Sequence, residues 1–317
     1  MNSLVKHGIK LAAGLLLCGL SLSASASIGQ WTFETNRSFE AMLAGLDEQS
    51  VNVGKDKWIY YVKQDSDNKA DTCLVLIHGF TAEASHWFRF ARNIDSAGCM
   101  IVPDLPGFGR SSYFPESDYA ISQQVARLNH FLQHLDLAKR YHLVGSSMGG
   151  HIAALYTITH PEDVSSLTLV NAAGVITPTQ TELDKGKGEN SRPIFEPETQ
   201  ADYERTLDMT MSDPPWVPFW VRNYLGEEAI ARTPRHRQIF RQVYRKDLLD
   251  NQLSNIFVPT LILWGDQDKL LSPDMADVFH NKIPGSEKVI FNNIGHLPFL
   301  EVPSKAADVI DLHISQR

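Results

Sequence analysis

The chain has 317 residues, 43% of them hydrophobic and 21% charged, which suits a globular protein with one large core and excludes a disordered or fibrous chain. With 37 acidic residues against 29 basic, its net charge of −8 gives no electrostatic support for binding nucleic acid.

At the start, Lys6, His7 and Lys10 make a basic segment, followed by a short apolar stretch from Leu11 to Leu22. Ala24-Ser25-Ala26 then places small residues where a signal peptidase reads. The expectation is a cleaved export signal over 1–26 and a periplasmic or extracellular mature chain. The stretch is too short for a comfortable membrane span, and bulky Leu17 before Cys18 disfavours lipid attachment there. The mature cysteines are then Cys73 and Cys99, each at the start of a predicted strand. A disulfide in an oxidising compartment and two buried free thiols both remain open.

Asn36 to Gly45 reads as a short helix. Ser50–Val53 and Lys57–Val62 read as a hairpin about Gly54-Lys55-Asp56. From there short apolar runs alternate with amphipathic helical stretches. The runs are Cys73–Ile77, Met100–Val102, His142–Val144, Leu167–Val170, Thr260–Trp264 and Lys288–Phe291. Helices are predicted near His86–Asn93, Ser122–Leu135, Met148–Thr159 and Pro273–His280, with another after Pro303. In Ser122–Leu135 the residues Val125, Leu128, Leu132 and Leu135 share one face. This succession predicts a doubly wound α/β architecture. Between Gly174 and Asn255 no strand is predicted, and a polar stretch gives way to Asp213-Pro214-Pro215-Trp216-Val217-Pro218-Phe219-Trp220. A span that long reads as a helical insertion.

Gly145-Ser146-Ser147-Met148-Gly149 fits G-x-S-x-G, and it lies between a predicted strand and a predicted helix. A nucleophile elbow needs that context: the chain must reverse within one or two residues, and glycines on either side remove colliding side chains. A dinucleotide-binding turn would need glycine where Ser147 stands. A serine hydroxyl requires a base, and His296 follows the last predicted strand, on the edge the elbow occupies. The base requires an acid; of the two aspartates after Trp264-Gly265, Asp268 lies beyond the turn and Asp266 within it, so Asp268 is preferred. Oxyanion donors are expected from the backbone N–H of Met148 and of Phe80, in His78-Gly79-Phe80-Thr81. His130 and His134, four apart on a helix, have no carboxylate or cysteine nearby to complete a metal site, so no metal or cofactor is expected.

Taken in order, His78-Gly79-Phe80, Pro103-Asp104-Leu105-Pro106-Gly107-Phe108-Gly109-Arg110-Ser111, the elbow, Trp264-Gly265-Asp266-Gln267-Asp268 and Gly295-His296 resemble the α/β-hydrolase superfamily. Val170-Asn171-Ala172-Ala173-Gly174 and the Pro-Pro-Trp-Val-Pro stretch resemble the cold-adapted bacterial lipases of the Moraxella and Psychrobacter type. The resemblance implies an α/β-hydrolase fold: a mostly parallel eight-stranded sheet flanked by helices, with a helical cap inserted after strand 6. The corresponding division is core over 27–176, cap over 177–254 and core over 255–317. It further implies hydrolysis of carboxylic esters, small or lipid, by Ser147, His296 and Asp268 through an acyl-enzyme, with a lipid–water interface as a candidate surface and no obligate protein partner. Where some relatives carry the acid after the sixth strand, this chain has Asn171, which leaves Asp268 to the role. Trp216, Phe219 and Trp220 are expected to wall the acyl site or to pack the cap on the sheet. Two other readings share the motifs: a carbon–carbon bond hydrolase or perhydrolase with the same triad, and a non-catalytic binding protein that kept the fold.

Overall fold

The computed structural model describes residues 28–65, 69–179, 183 and 193–316. The expected export signal over 1–26 and the lipidation candidate Cys18 lie outside the described residues.

A helix over 28–43 (α1) precedes the hairpin of β1 (Asp47–Val53) and β2 (Asp56–Gln64). Then come β3 (Ala70–Ile77), a 3₁₀ turn over Ala84–Trp87 running into α2 (Phe88–Ala91), β4 (Cys99–Pro103), α3 (Ile121–Leu135), β5 (Ala138–Ser146), α4 (Met148–Thr159) and β6 (Val164–Val170). Between β6 and the next strand the described chain holds α5 (Gln200–Thr210) and α6 (Phe219–Val243) and no strand. The chain closes with β7 (Thr260–Gly265), α7 (Asp274–Lys282), β8 (Glu287–Phe291), α8 (Pro298–Glu301) and α9 (Pro303–Ser315).

The eight strands form one sheet in the order β1-β2-β4-β3-β5-β6-β7-β8. The pairs β1–β2 and β2–β4 are antiparallel and the others parallel. This matches the expected sheet. The runs read as inner strands, β3 to β7, are nearly all apolar because both faces are covered, whereas the edge strand β8 leaves Lys288 and Ile290 exposed. In β3, Cys73, Val75 and Ile77 join one core, while Leu74 and Leu76 join the other on the opposite face. In β7, Ile262 and Trp264 go one way, Leu261 and Leu263 the other. On the first face α3 buries Ile121, Val125, Leu128, Phe131 and Leu132. At roughly 2 kcal/mol each, that stripe contributes on the order of 10 kcal/mol as an upper bound. On the second face α9 contributes Ala306, Ala307, Ile310 and Ile314. Leu74 sits opposite Met100, so the preceding residues Cys73 and Cys99 lie side by side on neighbouring strands, Cα atoms 4.6 Å apart, joined as a disulfide. The sequence left that pairing open, since only the register supplies the separation.

α1 is longer than predicted and reaches α6. A Cβ on Gly29 would collide with the Trp220 carbonyl, and the rings of Phe33 and Tyr224 lie 5.9 Å apart. α5 is capped reciprocally: Thr199 Oγ1 accepts from Asp202 N, and Asp202 Oδ2 accepts from Thr199 N. Among the described residues, no helix is long and apolar enough to cross a membrane.

Candidate active site

β5 ends at Ser146 and α4 begins at Met148, so Ser147 must reverse the chain alone. It does so at φ 54° and ψ −119°, a region L-residues rarely adopt. Four backbone bonds hold it there. Ser147 N donates to Val170 O at 3.0 Å, and Ser147 O accepts from Gly150 N, His151 N and Ala173 N at 3.0–3.2 Å. The glycines are needed because a Cβ at 145 would strike the Gly149 carbonyl, and one at 149 the carbonyl of Ile77. The serine side chain makes no cap bond to α4. Its Oγ stands at the positive end of that helix, where developing negative charge is stabilised.

The loop after β3 crosses directly above this turn. A Cβ on Gly79 would lie 3.1 Å from Ser147 Cβ, so only glycine lets Phe80 N approach the elbow. His78 braces the loop: its Nδ1–H donates to Gly79 O at 2.8 Å, and its Nε2 accepts from Leu105 N at 3.0 Å. Burial pushes its pKa down to about 4, so the ring stays neutral and can fill both roles. Asp104 ties the neighbouring loops, accepting from Ala84 N and Arg110 N at 2.7 and 2.8 Å.

The other end of the site is built from the loops after β7 and β8. His296 Nδ1–H donates to Asp268 Oδ2 at 2.7 Å. That bond fixes the tautomer and leaves Nε2 as the ring's basic nitrogen. Asp268 is otherwise saturated: Oδ1 accepts from Leu270 N and Leu271 N, both at 2.9 Å, and Oδ2 also accepts from Asn171 Nδ2 at 2.7 Å. Asp266 has a different task, accepting from Asn293 N at 2.7 Å across the same pair of loops. His296 N donates to Thr210 O at the end of α5. Glu301 clasps both sides of the loop, Oε1 accepting from Gly295 N and Oε2 from Ser212 N and Asp213 N.

Two cavities meet at Ser147. The smaller, about 90 Å³, is mainly apolar and is walled by Phe80, Met148, Val175, Phe195, Leu271 and Met275 among others. The larger, about 550 Å³, shares Ser147 and Phe80 and adds His296, His236 and a rim of charged side chains from α1 and α6. Ser147 Oγ and His296 Nε2 are not hydrogen-bonded to each other, though both residues wall the larger cavity.

The structure therefore brings Ser147, Phe80, Met148, His296 and Asp268 to one rim of the sheet. It does not bring the expected aromatic wall there. Trp216, Phe219 and Trp220 line neither cavity, and Trp216 and Phe219 are 81% and 68% exposed. The cause is local. Pro214, Pro215 and Val217 face the larger cavity, Trp216 between them points outward, and Trp220 lies against α1. The aromatic surroundings of Phe80 come instead from Phe108, Phe195 and Phe240, with ring centroids 5.1–5.5 Å away. Sequence reasoning also passed over His236 and Glu301, which sit in no recognisable motif, and it placed Asn171 in a motif without its bond to Asp268.

The family model for the alpha/beta hydrolase fold matches residues 72–303. The chain is 30% identical to Lipase 1 of Psychrobacter immobilis over 273 residues, covering 85% of this chain and 84% of that protein. It is 28% identical to Lipase 3 of Moraxella sp. (strain TA144), covering 85% of each. Among solved structures, a bacterial membrane phospholipase A superposes with a TM-score of 0.85 at 34% identity, covering 97% of this chain and 98% of that one.

Proposed function

Because this chain belongs to the α/β-hydrolase fold family, we propose that it is an exported serine hydrolase of carboxylic esters, of the lipase or esterase type. Ser147 attacks the ester carbonyl while His296 takes its proton, and Asp268 holds the imidazole and stabilises the imidazolium. The oxyanion is received by the N–H groups of Phe80 and Met148. His296 then gives its proton to the departing alcohol oxygen, and water, activated by the same nitrogen, releases the acid from Ser147.

The observation that carries this reading is the 2.7 Å bond from His296 to a buried, fully hydrogen-bonded Asp268, on the rim where the strained Ser147 stands. A carboxylate fixed by three further donors cannot swing away, so the ring orientation is preorganised. A cap role for the span 177–254 is supported by Phe195 and Phe240, which supply aromatic wall to the smaller cavity. Export is supported by the basic, apolar and small-residue succession over 1–26. A lipid–water interface is supported by exposed Trp31, Trp216 and Phe219.

The test is turnover of p-nitrophenyl esters of graded acyl length, with an emulsified triglyceride alongside. The wild-type chain is expected to cleave some of them, and S147A to lose at least about 10³-fold in kcat/KM. Inertness of folded wild-type protein toward the whole series would overturn the reading.

A further inference from the structure

His236, on α6, is only 4% exposed and is packed between aromatic rings. Phe108 lies nearly parallel to it, centroids 5.9 Å apart, and Phe80 lies 5.7 Å away. Three other buried histidines commit a ring nitrogen to the protein: His78 to Gly79 O and Leu105 N, His142 to Ser166 Oγ, His151 to Asp247 O. The imidazole of His236 has no hydrogen-bond partner among the described residues, yet it walls the larger cavity together with Ser147 and His296. His86 shares that wall, but its Nδ1 is closed off from solvent and Glu83 is its charged neighbour. An unpartnered polar ring, buried but open to a cavity beside the nucleophile, fits a group that meets its partner only when ligand is bound.

Accepting the ester-hydrolase reading above, the two cavities can be assigned. The group that protonates the leaving alcohol must lie within hydrogen-bond reach of it. His296 walls the larger cavity and not the smaller, so the alcohol half belongs in the larger one and the acyl chain in the smaller apolar one. We propose that His236 is a specificity-determining residue that hydrogen-bonds a free hydroxyl on the alcohol half, selecting esters of polyols such as glycerol over esters of simple alkanols. Burial pushes its pKa down to about 3, so the ring is neutral at working pH. A neutral imidazole both donates to and accepts from a hydroxyl, which suits a polyol.

The test compares 1-butyrylglycerol with propyl butyrate, two water-soluble esters with the same acyl group and the same number of alcohol carbons. Wild-type kcat/KM should favour the glycerol ester by about tenfold, the worth of one neutral hydrogen bond. H236F keeps the ring packing and removes the polar atoms. It should bring the ratio close to one while propyl butyrate turnover stays within about threefold, and H236Q should recover part of the preference. If H236F does not fold, H236M fills the same place with a flexible apolar chain and answers the same question. A wild-type ratio near one, an unchanged ratio in H236F, or equal ratios in H236Q and H236F would each overturn the proposal and leave the ester-hydrolase reading standing. Failure of the wild-type chain to cleave either ester sinks the underlying reading, and this inference with it.

Discussion

Ser147 occupies a backbone region that costs about 1–3 kcal/mol for a residue with a Cβ. The surrounding bonds to Val170, Gly150, His151 and Ala173 hold it there. Glycine takes that conformation without strain, and no cap bond is lost with the hydroxyl. S147G is therefore expected to abolish ester turnover while raising stability by about 1 kcal/mol, read as an increase in Tm. Asn171 offers a second prediction, since its amide donates to the same Asp268 oxygen that holds His296. N171D replaces that donor with a carboxylate, and two carboxyls so close share a proton over part of the pH range. The acid limb of the kcat/KM profile should move up by a unit or more, and an unchanged limb would show that Asn171 does not set the charge of Asp268. Ser147 and His296 were legible in the sequence because a G-x-S-x-G elbow and a post-strand Gly-His are local patterns. The contacts of Asn171 and Glu301 were not, because their partners lie 97 and 6–89 residues away and only the folded loops bring them together.

The inner strands of the parallel sheet were readable at the element scale because burial on both faces makes their runs nearly all apolar. Their pairing was not, and the cysteines show the consequence. Cys73 and Cys99 are adjacent only because β3 and β4 run parallel in this register. Closing a loop with a sequence separation of 26 should stabilise the fold by about 3.5 kcal/mol through the unfolded chain. Reduction, or the C73A/C99A pair, should lower Tm by several degrees, and an unchanged Tm under reducing conditions would show that the bridge contributes nothing. The aromatic stretch ahead of α6 illustrates the opposite failure. Its composition pointed to a pocket wall, but orientation is set residue by residue in an extended segment, and Pro214, Pro215 and Val217 take the inward places. α1 was read as a shorter helix over Asn36–Gly45 because Ile28, Trp31, Phe39, Met42 and Leu43 remain exposed and give its sequence no clean buried stripe.

Across the whole molecule, several histidines are buried in the neutral form, which ties stability to pH. Burial lowers the pKa of His78, His142 and His151 to about 4 and that of His236 to about 3, against 6.5 for the unfolded chain. Between those values the unfolded chain binds more protons, so stability is fully present above about pH 6.5 and is lost as pH falls toward 4. For His78 or His151 the shift corresponds to roughly 3 kcal/mol, so two such sites take up much of a stability of about 5–15 kcal/mol. Asp104 works in the opposite sense: burial and nearby Glu83 raise its pKa to about 7, so its contribution declines as pH rises from about 4 to 7. One carboxyl does not outweigh several histidines, and Tm should fall steadily below pH 6.5. H151Q should make that fall shallower, and a Tm independent of pH over this range would contradict the account. The triad proposed for residues 147, 268 and 296 depends on the whole fold, and it is tested most directly by a fluorophosphonate probe with mass-spectrometric mapping of the adduct. The account predicts one adduct, on Ser147, abolished in S147A and strongly slowed in H296A and D268A; labelling that persists in S147A, or that is indifferent to His296, would contradict it.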